Sequence, residues 1–156
     1  MKKILLALLI IVCALLLGVA FMLKNNEEIS VEGTDLATTT LSWDGGSFIV
    51  EIADTSASRT QGLSDREELL RGHGMLFVFP KDDFYSFWMK DMRFSIDMLW
   101  LSSDFRVVHI VSAVSPETYP ESFTSPDSAR YVLEIPSGES LTKGVVVGTQ
   151  FVAPSF

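Results

Sequence analysis

Ile4 to Leu23 is a run of twenty residues without one charge, and it decides first what this chain can be. At a rise of about 1.5 Å per residue, such a run matches a hydrocarbon core about 30 Å thick. A buried soluble helix is the competing reading, but twenty uninterrupted apolar positions leave no polar face to turn to water. Lys2 and Lys3 precede the run, and Lys24 follows it, trailed by Glu27 and Glu28. That bias of positive charge predicts an N-terminus inside the cell and everything after Leu23 outside. The expectation is a signal anchor over residues 1–23, crossing the cell membrane once as a transmembrane helix through residues 4–23, and an extracytoplasmic domain tethered to it. Two other readings compete. Gly18-Val19-Ala20 offers small residues for cleavage near Ala20, which would release a secreted domain, yet the run exceeds the usual signal-peptide core of about 7–15 residues. An acylated Cys13 would follow Val12, which is not small, and Cys13 reads better as one more apolar residue of the span.

Cys13 is the only cysteine, so the part beyond the run has no disulfide and no cysteine-type zinc site. Two of the twelve basic residues precede the run. The remainder carries ten against twenty acidic residues, a formal charge of −10. This acidity argues against nucleic acid or an anionic membrane face as a partner held by bulk electrostatics, and solubility explains it without any acidic site. Residues 24–156 suit one domain with a core of its own. Residues 24–40, rich in Thr, Glu and Asn, read as a flexible stalk, which leaves 41–156 as the globular domain.

Within that domain the signals are short strands and turns. Leu41-Ser42-Trp43 and Phe48 to Ile52 flank Asp44-Gly45-Gly46-Ser47, a hairpin pattern in which Phe48, Val50 and Ile52 share a face. Asp54 or Thr55 caps a helix running to Gln61 and stopped by Gly62. Ser64-Asp65-Arg66-Glu67 has the form of a capping box and predicts a second short helix, ending at Gly72. Met75 to Phe79 reads as a buried strand closed by Pro80, with a turn at Lys81-Asp82-Asp83. Strands are further expected over Phe84–Lys90, Ile96–Leu101, Arg106–Val114, Arg130–Ile135 and within Val145–Val152. Pro116, Pro120 and Pro126 make 115–128 a loop, and Ser137 opens a short helix reaching Lys143. About seven strands and three short helices, without a βαβ rhythm, predict a mainly β (α+β) single domain: a partly closed β-barrel or sandwich with short helical decorations.

Ordered motifs then accumulate. Arg59-x-x-Gly62-Leu63-Ser64-x-Arg66 is followed by Gly74-Met75-Leu76-Phe77-x-Phe79, Phe87-Trp88-Met89-Lys90 and Ile96-Asp97. Tyr131-Val132-Leu133-Glu134-Ile135-Pro136-x-Gly138 comes next, and then Gly144-Val145 and Gly148. Over about residues 41–152 this resembles the DUF192 family, bacterial and archaeal, often exported. The resemblance implies a small β-rich fold and no established activity. The chain departs from the family pattern in places. Asp91-Met92 stands where Asn-Thr is usual, Phe94-Ser95-Ile96-Asp97 lacks the usual Pro, Thr149 replaces Asp after Gly148, and 116–128 has no cysteines.

Nine of the 17 aromatic residues fall between Phe77 and Phe105. They read either as core or as a stacking platform for sugar rings or an apolar peptide. Strand alternation puts Phe87 and Met89 on one face, Trp88 and Lys90 on the other. Lys90 and Asp97 stand in apolar surroundings, with Arg59 and Arg66 on the helical segment nearby. A charge so placed needs a partner, so the four form either a structural ion-pair cluster or a polar lining that orients a ligand. Arg59, Arg66, Trp88, Lys90 and Asp97 are therefore the candidate ligand-binding residues. His73 and His109 have no second ligand at metal spacing, no serine sits in a nucleophile elbow, and Gly144 to Gly148 lacks a phosphate-loop ending. Glu51 and Glu134 are carboxylates whose meeting sequence does not establish. The reading is a tethered, non-enzymatic binding or accessory domain for an envelope saccharide or protein partner, with no cofactor and no metal. The alternatives are a carboxylate-dependent envelope hydrolase and a purely structural assembly module.

Overall fold

The computed structural model describes residues 36–154; the anchor expected over 4–23 and most of the expected stalk lie outside these residues. The hairpin pattern forms as read, with β1 (Thr38–Trp43) and β2 (Gly46–Ala53) paired antiparallel across the Asp44-Gly45 turn. β1 starts three residues before Leu41, because Thr38, Thr39 and Thr40 pair with Glu51, Val50 and Ile49. Helix α1 (Ser56–Gln61) follows, and then β3 (His73–Asp83), which lies parallel to β2. The sequence pattern had shown no βαβ crossover; β2–α1–β3 is one. The remaining strands are β4 (Ser86–Trp88), β5 (Ile96–Leu101), β6 (Val107–Val114), β7 (Ser122–Thr124) and β8 (Ala129–Pro136). Helix α2 (Glu139–Thr142) comes after β8.

Six strands make one sheet in the order β1-β2-β3-β8-β5-β6, while β4 and β7 pair as a separate ribbon. The sheet is open and does not close into a barrel, one of the two forms expected beside a sandwich, and the fold is a mainly β domain with a few short helices. Both faces carry core. Leu41, Phe48, Val50, Leu76, Leu99, Leu133 and Ile135 bury one face, with Val145 and Phe151 from the C-terminal segment packed on it. Ala53, Met75, Phe77, Met98, Trp100 and Val132 bury the other, under Leu63 and Met89 from outside the sheet. Strand β5, apolar on both sides, is buried at all six positions, as a central strand covered on both faces should be.

Five local expectations differ. The capping box at Ser64 opens no helix, because Asp65 takes a left-handed φ of 64° that no helix continues through. Pro80 does not end β3; the strand runs on to Asp83, and the loss of a donor shows as a register shift against β8 between Val78 and Asp83. Only Ser86–Trp88 of the expected 84–90 strand is paired, and β7 lies inside the proline loop. The Val145–Val152 segment forms isolated bridges, Ser42 with Val152 and Arg106 with Gln150, rather than a strand.

Candidate functional site

Helix α1 is only six residues long, so its ends must hold it. Thr55 is the N-cap: its hydroxyl accepts from the Ser58 N–H at 3.0 Å, and the Ser58 hydroxyl accepts from the Thr55 N–H at 3.0 Å. At the other end Gly62, at φ 51°, donates its N–H to the Ser58 carbonyl at 2.9 Å. A Cβ there would sit 3.3 Å from the Phe77 ring, so glycine lets this turn lie close on the sheet.

This places Arg59 over the aromatic end of β3. Its Nη1 donates to the Val78 carbonyl at 2.8 Å and to the Asp54 carbonyl. The guanidinium lies 5.2 Å from the Phe79 ring centroid. Phe79 in turn stacks on Tyr85, with ring centroids 3.5 Å apart and an interplanar angle of 12°. Phe87 on β4 packs edge-on against Phe77 at 4.9 Å and Trp100 at 6.1 Å. Trp88, its neighbour on the other face of the ribbon, is 53% exposed and meets Tyr119 edge-to-face at 5.8 Å.

Between these elements lies a cavity of about 350 Å³, within the range of small-molecule sites. Arg59, Gln61 and Gly62 border it from α1 and its stop, Phe79 and Phe77 from β3, Tyr85, Phe87 and Trp88 from the ribbon, and Glu134 from β8. Glu134 stands in an apolar strand, and register explains its neighbours. Glu51, Met75, Glu134, Met98 and Val111 pair laterally across β2, β3, β8, β5 and β6, so their side chains share a face. Gly74 permits the close approach of β3 and β8 here, since a Cβ on it would lie 2.7 Å from the Glu134 carbonyl oxygen.

The electrostatics of that row are unequal. Arg66 grips Glu51 with two hydrogen bonds, 2.5 Å from Nη1 and 2.7 Å from Nη2, which raises the Arg66 pKa and keeps it charged. Glu134 is 4% exposed, and burial pushes its carboxyl up to about 8, opposed only in part by the charge of Arg66. Glu134 therefore holds its proton at neutral pH and presents to the cavity a group that can donate as well as accept.

The five residues expected from sequence divide. Arg59 and Trp88 line the cavity. Arg66 acts beside it, bonded to Glu51 and felt through space at Glu134. Lys90 is exposed, 3.7 Å from Asp91, and serves the fold through its carbonyl, which accepts from the Ser64 hydroxyl at 2.9 Å. Asp97 lies on the opposite face of the sheet, fully buried. Its Oδ1 accepts from the Ala113 and Gly138 N–H groups at 2.8 and 3.0 Å. Its Oδ2 accepts from the Ser140 N–H and hydroxyl at 3.0 and 2.6 Å. The expected closeness of Lys90 and Asp97 is thus not formed; Asp97 is a structural clasp joining β5, β6 and α2. Among the described residues no three His, Cys, Asp or Glu side chains gather as a metal site. Glu134 is not among those five residues, although one carboxyl between Leu133 and Ile135 is the kind of signal that marks such a position.

The sequence pattern of DUF192, described as an uncharacterized ACR, matches residues 38–153. A UPF0127 protein of Thermococcus gammatolerans is 37% identical over 101 residues, 64% of this chain and 62% of that one, so the match spans less than two thirds of that relative. A crystal structure of a protein of unknown function from Novosphingobium aromaticivorans DSM 12444 superposes with a TM-score of 0.69 at 28% identity, covering 80% of this chain and 89% of that chain. Another, from Sinorhizobium meliloti 1021 and described as a candidate transcription regulator, gives 0.70 at 29% identity, covering 77% and 96%.

Proposed function

We propose, because this chain belongs to the DUF192 family and joins aromatic rings to a buried carboxyl in one cavity, that it binds a cell-envelope saccharide there. In this reading the domain stands outside the cell membrane, held by residues 4–23. The observation that carries the reading is one cavity wall that holds both buried Glu134, its carboxyl pushed up by burial, and exposed Trp88. A protonated carboxyl donates to one sugar oxygen and accepts from a neighbouring hydroxyl, while an indole face takes the C–H face of a sugar ring. The chain's acidity works against carrying over the regulator description of the Sinorhizobium neighbour, since nucleic acid would meet residues 24–156 at a formal charge of −10.

The test is calorimetric titration of the full chain in detergent micelles with N-acetylglucosamine-based oligosaccharides. Saturable binding is expected, weakened roughly tenfold, ~1.4 kcal/mol, in Trp88→Ala. Wild-type protein that is folded yet gives flat heats would sink the saccharide reading and favour a protein partner. A second reading, glycosidic hydrolysis, has one observation in its favour: a carboxyl raised towards 8 is suited to act as a general acid. The other carboxylate of the row, Glu51, is committed to Arg66. New reducing ends in the same samples, abolished by Glu134→Gln with binding retained, would move the reading to that class.

A further inference from the structure

We infer that the saccharide bound in this cavity is an acidic one, its carboxylate seated on the Arg59 guanidinium while a sugar ring lies against Trp88. The inference rests on the saccharide reading above and names the class of sugar within it. Three observations carry it. The first is charge: among the described residues Arg59 is the one cation on the cavity wall, and its Nη1 is engaged by two main-chain carbonyls, of Asp54 and Val78. Among the described residues no acidic side chain forms an ion pair with it. Among the described residues most other cations are matched: Arg66 has Glu51, Arg71 has Glu139, Arg93 has Glu67 and Arg130 has Asp82, whereas Lys143 lies over the Phe48 ring without an ion pair. Arg59 is thus a half-buried guanidinium with no counter-ion among the described residues, in a chain of net charge −8.

The second observation is geometry. The carbonyls of Asp54 and Val78 and the Phe79 ring hold the guanidinium in place, with only one of its nitrogens engaged by these bonds. A guanidinium carries five donors in a fixed fork, and a fork with its remaining N–H groups presented together suits a planar carboxylate gripped by two bonds. The third is the company it keeps. Glu134 is the acidic side chain in the described lining; it forms no ion pair with Arg59, and burial pushes its carboxyl towards the protonated form. The cavity therefore offers an anion one positive charge, a neutral donor and aromatic walls. A neutral sugar would satisfy the rings and Glu134 but leave the charge unanswered.

The experiment compares two probes that differ only in charge: the disaccharide of N-acetylglucosamine and N-acetylmuramic acid, and the same disaccharide with its lactyl carboxylate amidated. Each is titrated by calorimetry into the full chain in detergent micelles. The acid is expected to bind at least about tenfold more tightly than the amide at neutral pH, as a charge-assisted pair should. Arg59→Gln should erase that preference and Arg59→Lys keep part of it, with thermal unfolding confirming that both variants fold. Equal binding of acid and amide would overturn the acidic class while leaving saccharide binding intact. Failure of both probes to bind at about 10 mM would overturn the saccharide reading and this inference together.

Discussion

Glu134 concentrates what a single residue does in this fold. Its carboxyl sits in an apolar strand at the wall of a cavity, and burial outweighs the nearby Arg66 because that guanidinium already serves Glu51. The consequence for stability has a definite sign. The folded-state value, about 8, lies above the ordinary 4.5, so the native protein holds a proton that the unfolded chain has lost between those two values. The stability Glu134 contributes is complete below about pH 4.5 and is lost as pH rises through about 8, on the order of 4–5 kcal/mol in all as an upper bound. Glu134→Gln keeps the shape and removes the titration. Its unfolding midpoint in denaturant should exceed that of the wild type at pH 8–9, and the difference should vanish below about pH 4.5. A difference that stays constant from pH 5 to 9 would mean that the carboxyl titrates as an ordinary one. Asp97, also buried, accepts four hydrogen bonds, from the Ala113, Gly138 and Ser140 N–H groups and the Ser140 hydroxyl.

At the scale of elements, the site depends on how closely β3 and β8 approach. Gly74 makes this contact possible, since any Cβ would strike the Glu134 carbonyl at 2.7 Å and the Ile135 side chain at 3.0 Å. Backbone cannot swing aside as a flexible side chain can, so Gly74→Ala should force the two strands apart. We expect a loss of roughly 1–3 kcal/mol in chemical denaturation, together with weaker saccharide binding, because the displaced strand carries Glu134. Wild-type stability in Gly74→Ala would show that the pair tolerates spreading and that the glycine has no packing role. Helix α1 solves a different problem. It buries no residue of its own, so its reciprocal cap at Thr55 and Ser58 and its glycine stop set where Arg59 points. The loop that follows shows the limit of local patterns: Ser64 to Glu67 spells a capping box, but the left-handed turn at Asp65 sends the chain elsewhere.

For the molecule as a whole, the open sheet is covered on both faces, and only the face carrying Glu51, Met75, Glu134 and Met98 contributes to the cavity. The opposite face is closed by the C-terminal segment and the Asp97 clasp. A saccharide site on an envelope domain requires that the domain be outside, as the apolar run and its flanking lysines predict. This is checked in intact cells with the Cys13→Ala, Glu121→Cys double variant, Glu121 being an exposed loop residue. A membrane-impermeant maleimide should label it without lysis. Labelling only after lysis would place the domain inside and remove an envelope saccharide as its ligand.

Much of this protein is legible in its residues alone. The hairpin, the Thr55-capped helix, strand β5, the buried face of Phe48, Val50 and Ile52 and the family motifs all follow from spacing, because period-two alternation and capping are local physics. Trp88 and Arg59 were also marked, one as an aromatic sharing a strand face with Lys90, the other by its motif. Tertiary structure alone decided which charges share a place. Asp97 and Glu134 are both acids in apolar strands, and only the strand order, which sets Glu134 in a row with Glu51 and turns Asp97 towards α2, makes one a wall of the cavity and the other a structural clasp. That order arises from pairings distant in the chain, which no local pattern encodes, and with it came the open sheet, the β2–α1–β3 crossover and the cavity itself.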